Sequence, residues 1–116
     1  MKKDTFYALT KSGSGRVLFR KVEGSLLKLG LFSCGIYQGY KTVDGQPRKS
    51  WYIVELTSGL AIASGDTKKE TLEYGRRKVK TIPSADILRI IERNINEYGQ
   101  SPLYQEGLDL DEEKAK

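Results

Sequence analysis

The sequence predicts an α+β domain in which an antiparallel sheet of about five strands, residues 5–64, is packed on one face by two C-terminal helices, 67–81 and 84–98. Three observations predict it. Short runs rich in Val, Ile, Tyr and Phe fill the first half, with breaks of Gly, Ser and Asp between them. Asp44-Gly45 is a hairpin dipeptide, because both central positions of a type I′ turn need positive φ. From Thr67 onward the apolar spacing changes from two to three and four.

Thr5–Thr10 reads as the first strand, and the Gly/Ser-rich segment 11–15 as a hairpin loop leading into Arg16–Val22. There Val17 and Phe19 alternate with Arg16, Leu18 and Arg20. Glu23-Gly24 is expected to turn the chain into Ser25–Phe32, a strand or a short helix, since period alone does not separate the two over so brief an apolar run. Gly35–Val43 sets Tyr37 and Gly39 opposite Ile36 and Tyr40. Past the turn, Trp51 and Ile53 share one face while Tyr52, Val54 and Leu56 share the other, so both faces are expected to be covered. Thr57-Ser58-Gly59 reverses the chain, and Leu60 and Ile62 return with Ala61 and Ala63 opposite.

Thr67-Lys68-Lys69-Glu70 matches a capping box. In the helix that follows, Leu72, Gly75 and Val79 form one stripe. Gly75 costs about 1 kcal/mol relative to alanine in a helix interior and is read as allowing close approach to the sheet. Ile82-Pro83-Ser84 breaks this helix, with Ser84 as the expected N-cap of the next and Asp86 complementing its dipole. Ile87, Leu88, Ile91, Ile95 and Tyr98 make the clearest amphipathic pattern, and Gly99 is the expected C-cap. Residues 1–105 are thus one domain, followed by an acidic, mobile tail at 106–116.

The 116 residues are enough for one self-sufficient core, and the 38% hydrophobic and 30% charged content excludes general disorder. No apolar run reaches a membrane span, the start does not read as a secretory signal, and the single cysteine, Cys34, suits a reducing cytoplasmic setting. The net charge of +5 is uneven: residues 1–52 carry ten Lys or Arg against three acids, whereas 106–116 carry five acids against two lysines. A basic sheet face can attract nucleic acid or an acidic protein, and it can equally be a solvated surface.

The chain has no histidine, which removes the commonest general base, the His-activated nucleophiles and most zinc sites. Cys34 in its apolar setting reads as core filling. Asp109, Asp111, Glu112 and Glu113 lack the glycine turn of a calcium loop. Ser12–Arg16 lacks the Gly-Lys-Ser/Thr ending of a phosphate loop and precedes a strand. No cofactor, metal site or catalytic residue is expected. An enzyme would have to gather Glu23, Asp44 and Glu55 from distant strands.

The strongest functional signal is the interleaving of aromatic and basic residues: Arg20 and Lys21, then Tyr37, Tyr40 and Lys41, then Arg48, Lys49, Trp51 and Tyr52. Rings beside cations can stack bases and hold phosphates, although they also serve strand packing and protein interfaces. On the first helix Lys69, Arg76 and Lys80 form a basic flank, with Glu73 within its arc.

The run from Gly59 to Glu70, with Leu72 following, resembles the strand, Gly-Asp-Thr turn and capped helix of HicB-type antitoxins. The resemblance covers residues 59–72, lacks the Pro-Gly segment usual ahead of that strand, and implies a similar three-element packing and a binder's role. DNA binding does not carry over from it. The expected function is that of a non-enzymatic protein that binds a macromolecule, foremost another protein, as a regulator or inhibitor. A mobile-element or phage product that blocks a nucleic-acid-guided nuclease fits this class. The alternative is direct nucleic-acid binding through the basic, aromatic sheet face and the helix flank.

Overall fold

Two tight turns set the frame of the sheet. Asp44 (φ 53°) and Gly45 (φ 76°) both take the left-handed region, as a type I′ turn requires, and join β3 (Phe32–Val43) to β4 (Gln46–Glu55). Gly30 (φ 59°) and Leu31 make the two-residue turn between β2 (Val17–Leu29) and β3. In a computed structural model that describes residues 3–11 and 14–102, these strands, with β1 (Lys3–Lys11) and β5 (Ala61–Gly65), form one five-stranded antiparallel sheet in the order β1-β2-β3-β4-β5. Two helices follow, α1 (Lys68–Thr81) and α2 (Ser84–Tyr98), so the α+β architecture is the one expected. The acidic tail at 106–116 lies outside the described residues. No described helix is long and apolar enough to cross a membrane.

The expected turn at Glu23-Gly24 is absent. β2 runs straight through it for 13 residues, and the two short strands anticipated on either side are one. Gly24 serves a different purpose there. A Cβ at this position would collide with the Ile36 carbonyl oxygen, so only glycine lets β2 press against β3 where it changes partner. Up to Ser25, β2 pairs with β1; from Gly24 onward it pairs with β3. The β1–β2 hairpin therefore curls over the β3–β4 surface. The Leu9 N–H meets the Gly59 carbonyl at 2.9 Å, fastening β1 to the β4–β5 turn.

Cross-strand partners share a face, and alternation sorts the side chains into two clusters. On the helix side Leu29, Cys34, Ile36 and Ile53 pack with Ile87 and Ile91 of α2. Gly75 allows α1 to sit close, since a Cβ there would lie 2.9 Å from both Ile53 Cδ1 and Leu29 Cδ1. On the concave side, under the curled hairpin, Phe6, Ala8, Tyr37, Val54 and Leu56 are buried together. The Phe6 ring lies on Gly35, where a Cβ would approach it to 2.5 Å. Both faces of β4 are thus covered, as expected. The return strand departs from simple alternation. A bulge opposite Ile53/Val54 turns Ile62 and Ala63 both toward the helix-side core and leaves Ala61 exposed.

Thr67 caps α1, its hydroxyl accepting from the Glu70 N–H at 3.1 Å. Ser84 does not cap α2. The N-cap is Pro83, with no side-chain bond, because fixed proline φ starts the helix one residue earlier and makes Ser84 its first turn. Gly99 (φ 88°) ends α2 with its N–H on the Ile95 carbonyl. The Ser101 N–H then reaches the Thr57 carbonyl at 2.8 Å, tying the end of α2 to the β4–β5 turn. Within that turn the buried Glu55 carboxylate accepts from the N–H and hydroxyl groups of both Thr57 and Ser58, at 2.6–3.0 Å.

Candidate functional site: a basic cleft on the concave face

Where β2 leaves β3, a cleft opens between the curled β1–β2 hairpin and the β3–β4 arm. Its volume is about 760 Å³. The floor is built from Tyr37 and Tyr52, direct cross-strand partners whose rings stack at 5.4 Å with 25° between planes. Tyr37 also meets Phe6 edge-on at 6.0 Å. Gly39 leaves room for this pair, since a Cβ there would stand 3.1 Å from Tyr37 and 3.2 Å from Tyr52 ring atoms. The Tyr52 hydroxyl donates to the Tyr40 carbonyl at 3.2 Å. Burial pushes the Tyr37 phenol up to about 12; neighbouring Tyr52 adds to the shift and the Arg20 guanidinium opposes it.

Arg20, projecting on the same face as Val22 and Leu18, supplies charge inside the cleft, and Lys11 and Lys21 add to its lining. Glu23 is the acid in the lining. Further along the arm Lys41 and Arg48 face each other across the ladder on this same face. Like charges directly opposite are destabilising, and Lys41 is offset by Asp66 at 3.0 Å. None of Lys11, Arg20, Lys21 and Arg48 has an ion-pair partner among the described residues.

The backbone is also available here. In an antiparallel ladder a residue bonds to the strand on one side only, alternately. The Leu56 N–H donates to Ser33, which fixes the odd residues of β3 as those bonded to β4. Gln38, Tyr40 and Thr42 therefore turn their N–H and C=O groups outward, away from β4, at a stretch that β2 no longer covers. By the same alternation Lys21 and Glu23 turn theirs from β1 toward the gap. The outward Leu9 N–H, satisfied by Gly59, follows the same phase.

The twelve residues expected to form one binding surface are divided. Arg20, Tyr37 and Tyr52 lie within the cleft; Lys21 and Tyr40 line it from the strand edges, and Lys41 and Arg48 extend its face. Lys49 pairs with Tyr40 on the other face of the arm. Trp51 is half-buried against the helix-side core, with the Lys68 ammonium 5.8 Å from its ring centroid. Lys69, Arg76 and Lys80 are exposed on α1, on the opposite side of the sheet from the cleft. Reasoning from composition alone missed Lys11, Leu18 and Gln38, which join the site only because β2 bends; Gly24 inside an alternating run was the available signal.

The carboxylates an enzyme would need are spread out. Asp44 sits at the arm's tip and Glu55 at the far end of β4, about 30 Å along an extended strand. Cys34 is buried, and burial first, then the nearby Glu55, pushes its thiol from 9.0 up to about 12. No group of His, Cys, Asp and Glu placed to hold a metal occurs among the described residues. No protein-family model, curated protein or solved structure matches this chain.

Proposed function

We propose that this chain is a non-enzymatic binding protein that regulates or inhibits a macromolecular partner, foremost a protein, by engaging an anionic part of it through the concave cleft. The carrying observation is that Lys11, Arg20 and Lys21 line a cleft of about 760 Å³, with Arg48 further along the arm on the same face, and that none of the four has an acidic partner among the described residues. Such a site gains from a ligand that brings negative charge and removes Leu18, 41% exposed, from water. Direct nucleic-acid binding is the second reading, supported by the facing Lys41 and Arg48 on the arm, a spacing that phosphates could bridge.

Fluorescence anisotropy with a labelled glutamate peptide and a labelled oligothymidine, each about twelve units long, tests the proposal at low and near-physiological salt. The cleft reading expects at least one probe to bind, more weakly as salt rises. Arg20→Glu should weaken that binding about tenfold, or about 1.4 kcal/mol, while Arg76→Glu on the helix flank leaves it nearly unchanged. Greater sensitivity to Arg76→Glu than to Arg20→Glu would move the site to the helix.

A further inference from the structure

We propose that the free edge of β3, from Gln38 to Thr42, is a strand-addition site for an extended acidic peptide segment of a partner protein. The inference rests on the cleft being the binding face and adds what occupies it and how.

Open strand edges are liabilities that folded proteins ordinarily block. The two outer edges of this sheet are tended: the Lys78 ammonium donates to the Ile62 carbonyl on β5 at 2.8 Å, and the Leu9 N–H on β1 reaches Gly59. Among the described residues, the internal edge exposed by the departure of β2 has no such cover. Its outward groups recur every second residue, at Gln38, Tyr40 and Thr42, with the Tyr40 carbonyl taken by Tyr52. That repeat matches a peptide backbone in extended form. A strand occupies roughly 4.8 × 10 × 3.4 Å per residue, so the cleft accommodates about four or five residues.

Charge selects the side chains. Arg20 asks for an acid on the concave face, with Leu18 and Val22 offering apolar surface on either side of it, and Lys11 and Lys21 add positive charge from the hairpin's other face. A single-stranded nucleic acid would bring charge but fits less well. Tyr37 is only 8% exposed and covers one face of the Tyr52 ring, and the 67% exposed Tyr40 ring belongs by register to the arm's other face, so the cleft presents little open ring surface to a base.

The test is a titration of the full chain with a fluorescein-labelled peptide of four Asp-Leu repeats, alongside amide hydrogen exchange. Binding should protect the amides of Gln38, Tyr40 and Thr42. Methylating the peptide's leucine nitrogens, or replacing its aspartates by lysine, should weaken it at least about tenfold. Tyr40→Pro removes an outward N–H without touching the β3–β4 ladder, whereas Tyr40→Ala removes only the ring. Tyr40→Pro should therefore cost about tenfold more than Tyr40→Ala, at an unchanged thermal midpoint. Equal binding of the methylated or lysine peptide would overturn strand addition. Protection of the three amides in the free chain would also overturn it, by assigning the edge to this chain's own residues. Binding of oligothymidine alone, abolished by Arg20→Glu, would keep the cleft as the binding face and remove the peptide. No binding of any probe at the cleft would remove both readings.

Discussion

Single positions decide the shape of the concave face. Gly35 is one of them, because the Phe6 ring fills the space a side chain would take. Gly35→Ala should lower stability by about 2–3 kcal/mol in urea titrations, whereas alanine for exposed Lys28 on the neighbouring strand should change it by less than about 0.5 kcal/mol. Cys34 and Tyr37 make stability fall at high pH. The native thiol keeps its proton to about 12 and the unfolded one loses it near 9.0, so above 9 unfolding releases a proton. Tyr37, raised from 10.0 to about 12, acts in the same direction above 10. Below 9 both groups are protonated in both states and contribute nothing. Each adds a slope of at most about 1.4 kcal/mol per pH unit within its window. Urea midpoints should be level from pH 7 to 9 and drop beyond, and Cys34→Ala should shift the start of the drop toward 10. A midpoint that rises across this range contradicts the assignment.

At the scale of elements, the two helix starts differ in a measurable way. Thr67→Ala removes the bond to the Glu70 N–H and should cost about 1 kcal/mol. Ser84→Ala should cost far less, because Ser84 makes no capping bond. Thermal or urea unfolding of the two variants checks the difference. The same contrast shows what was legible in the sequence. Asp44-Gly45, the Thr67 cap and the Gly75 contact each depend on neighbours in sequence or on a period, and each formed as read. The Glu23-Gly24 turn, the Ser84 cap and the alternation through Ile62 did not. Gly24 as a crowding glycine depends on Ile36 in another strand, and the bulge at Ile62 depends on the register with Ile53. Long-range partners of that kind leave no local trace.

For the whole molecule, the decisive event is that β2 changes partner midway and opens the sheet. One consequence is a buried second cluster under the hairpin, and the other is the basic cleft beside it. The sequence showed the ingredients of the cleft, Arg20, Tyr37 and Tyr52, through their aromatic-basic interleaving. It did not separate them from Trp51 or from Lys69, Arg76 and Lys80, because which face a residue joins depends on where α1 packs. The clustering of charge in the first half is thus expressed as two surfaces on opposite sides of the sheet.

The central claim, that the cleft is where a partner engages, is tested most directly by amide chemical-shift mapping of the full chain titrated with the Asp-Leu peptide. The account predicts shifts concentrated at Leu18 to Lys21 and Gln38 to Thr42, with Lys69, Arg76 and Lys80 unmoved. Shifts centred on the α1 flank, or none at all, would contradict it.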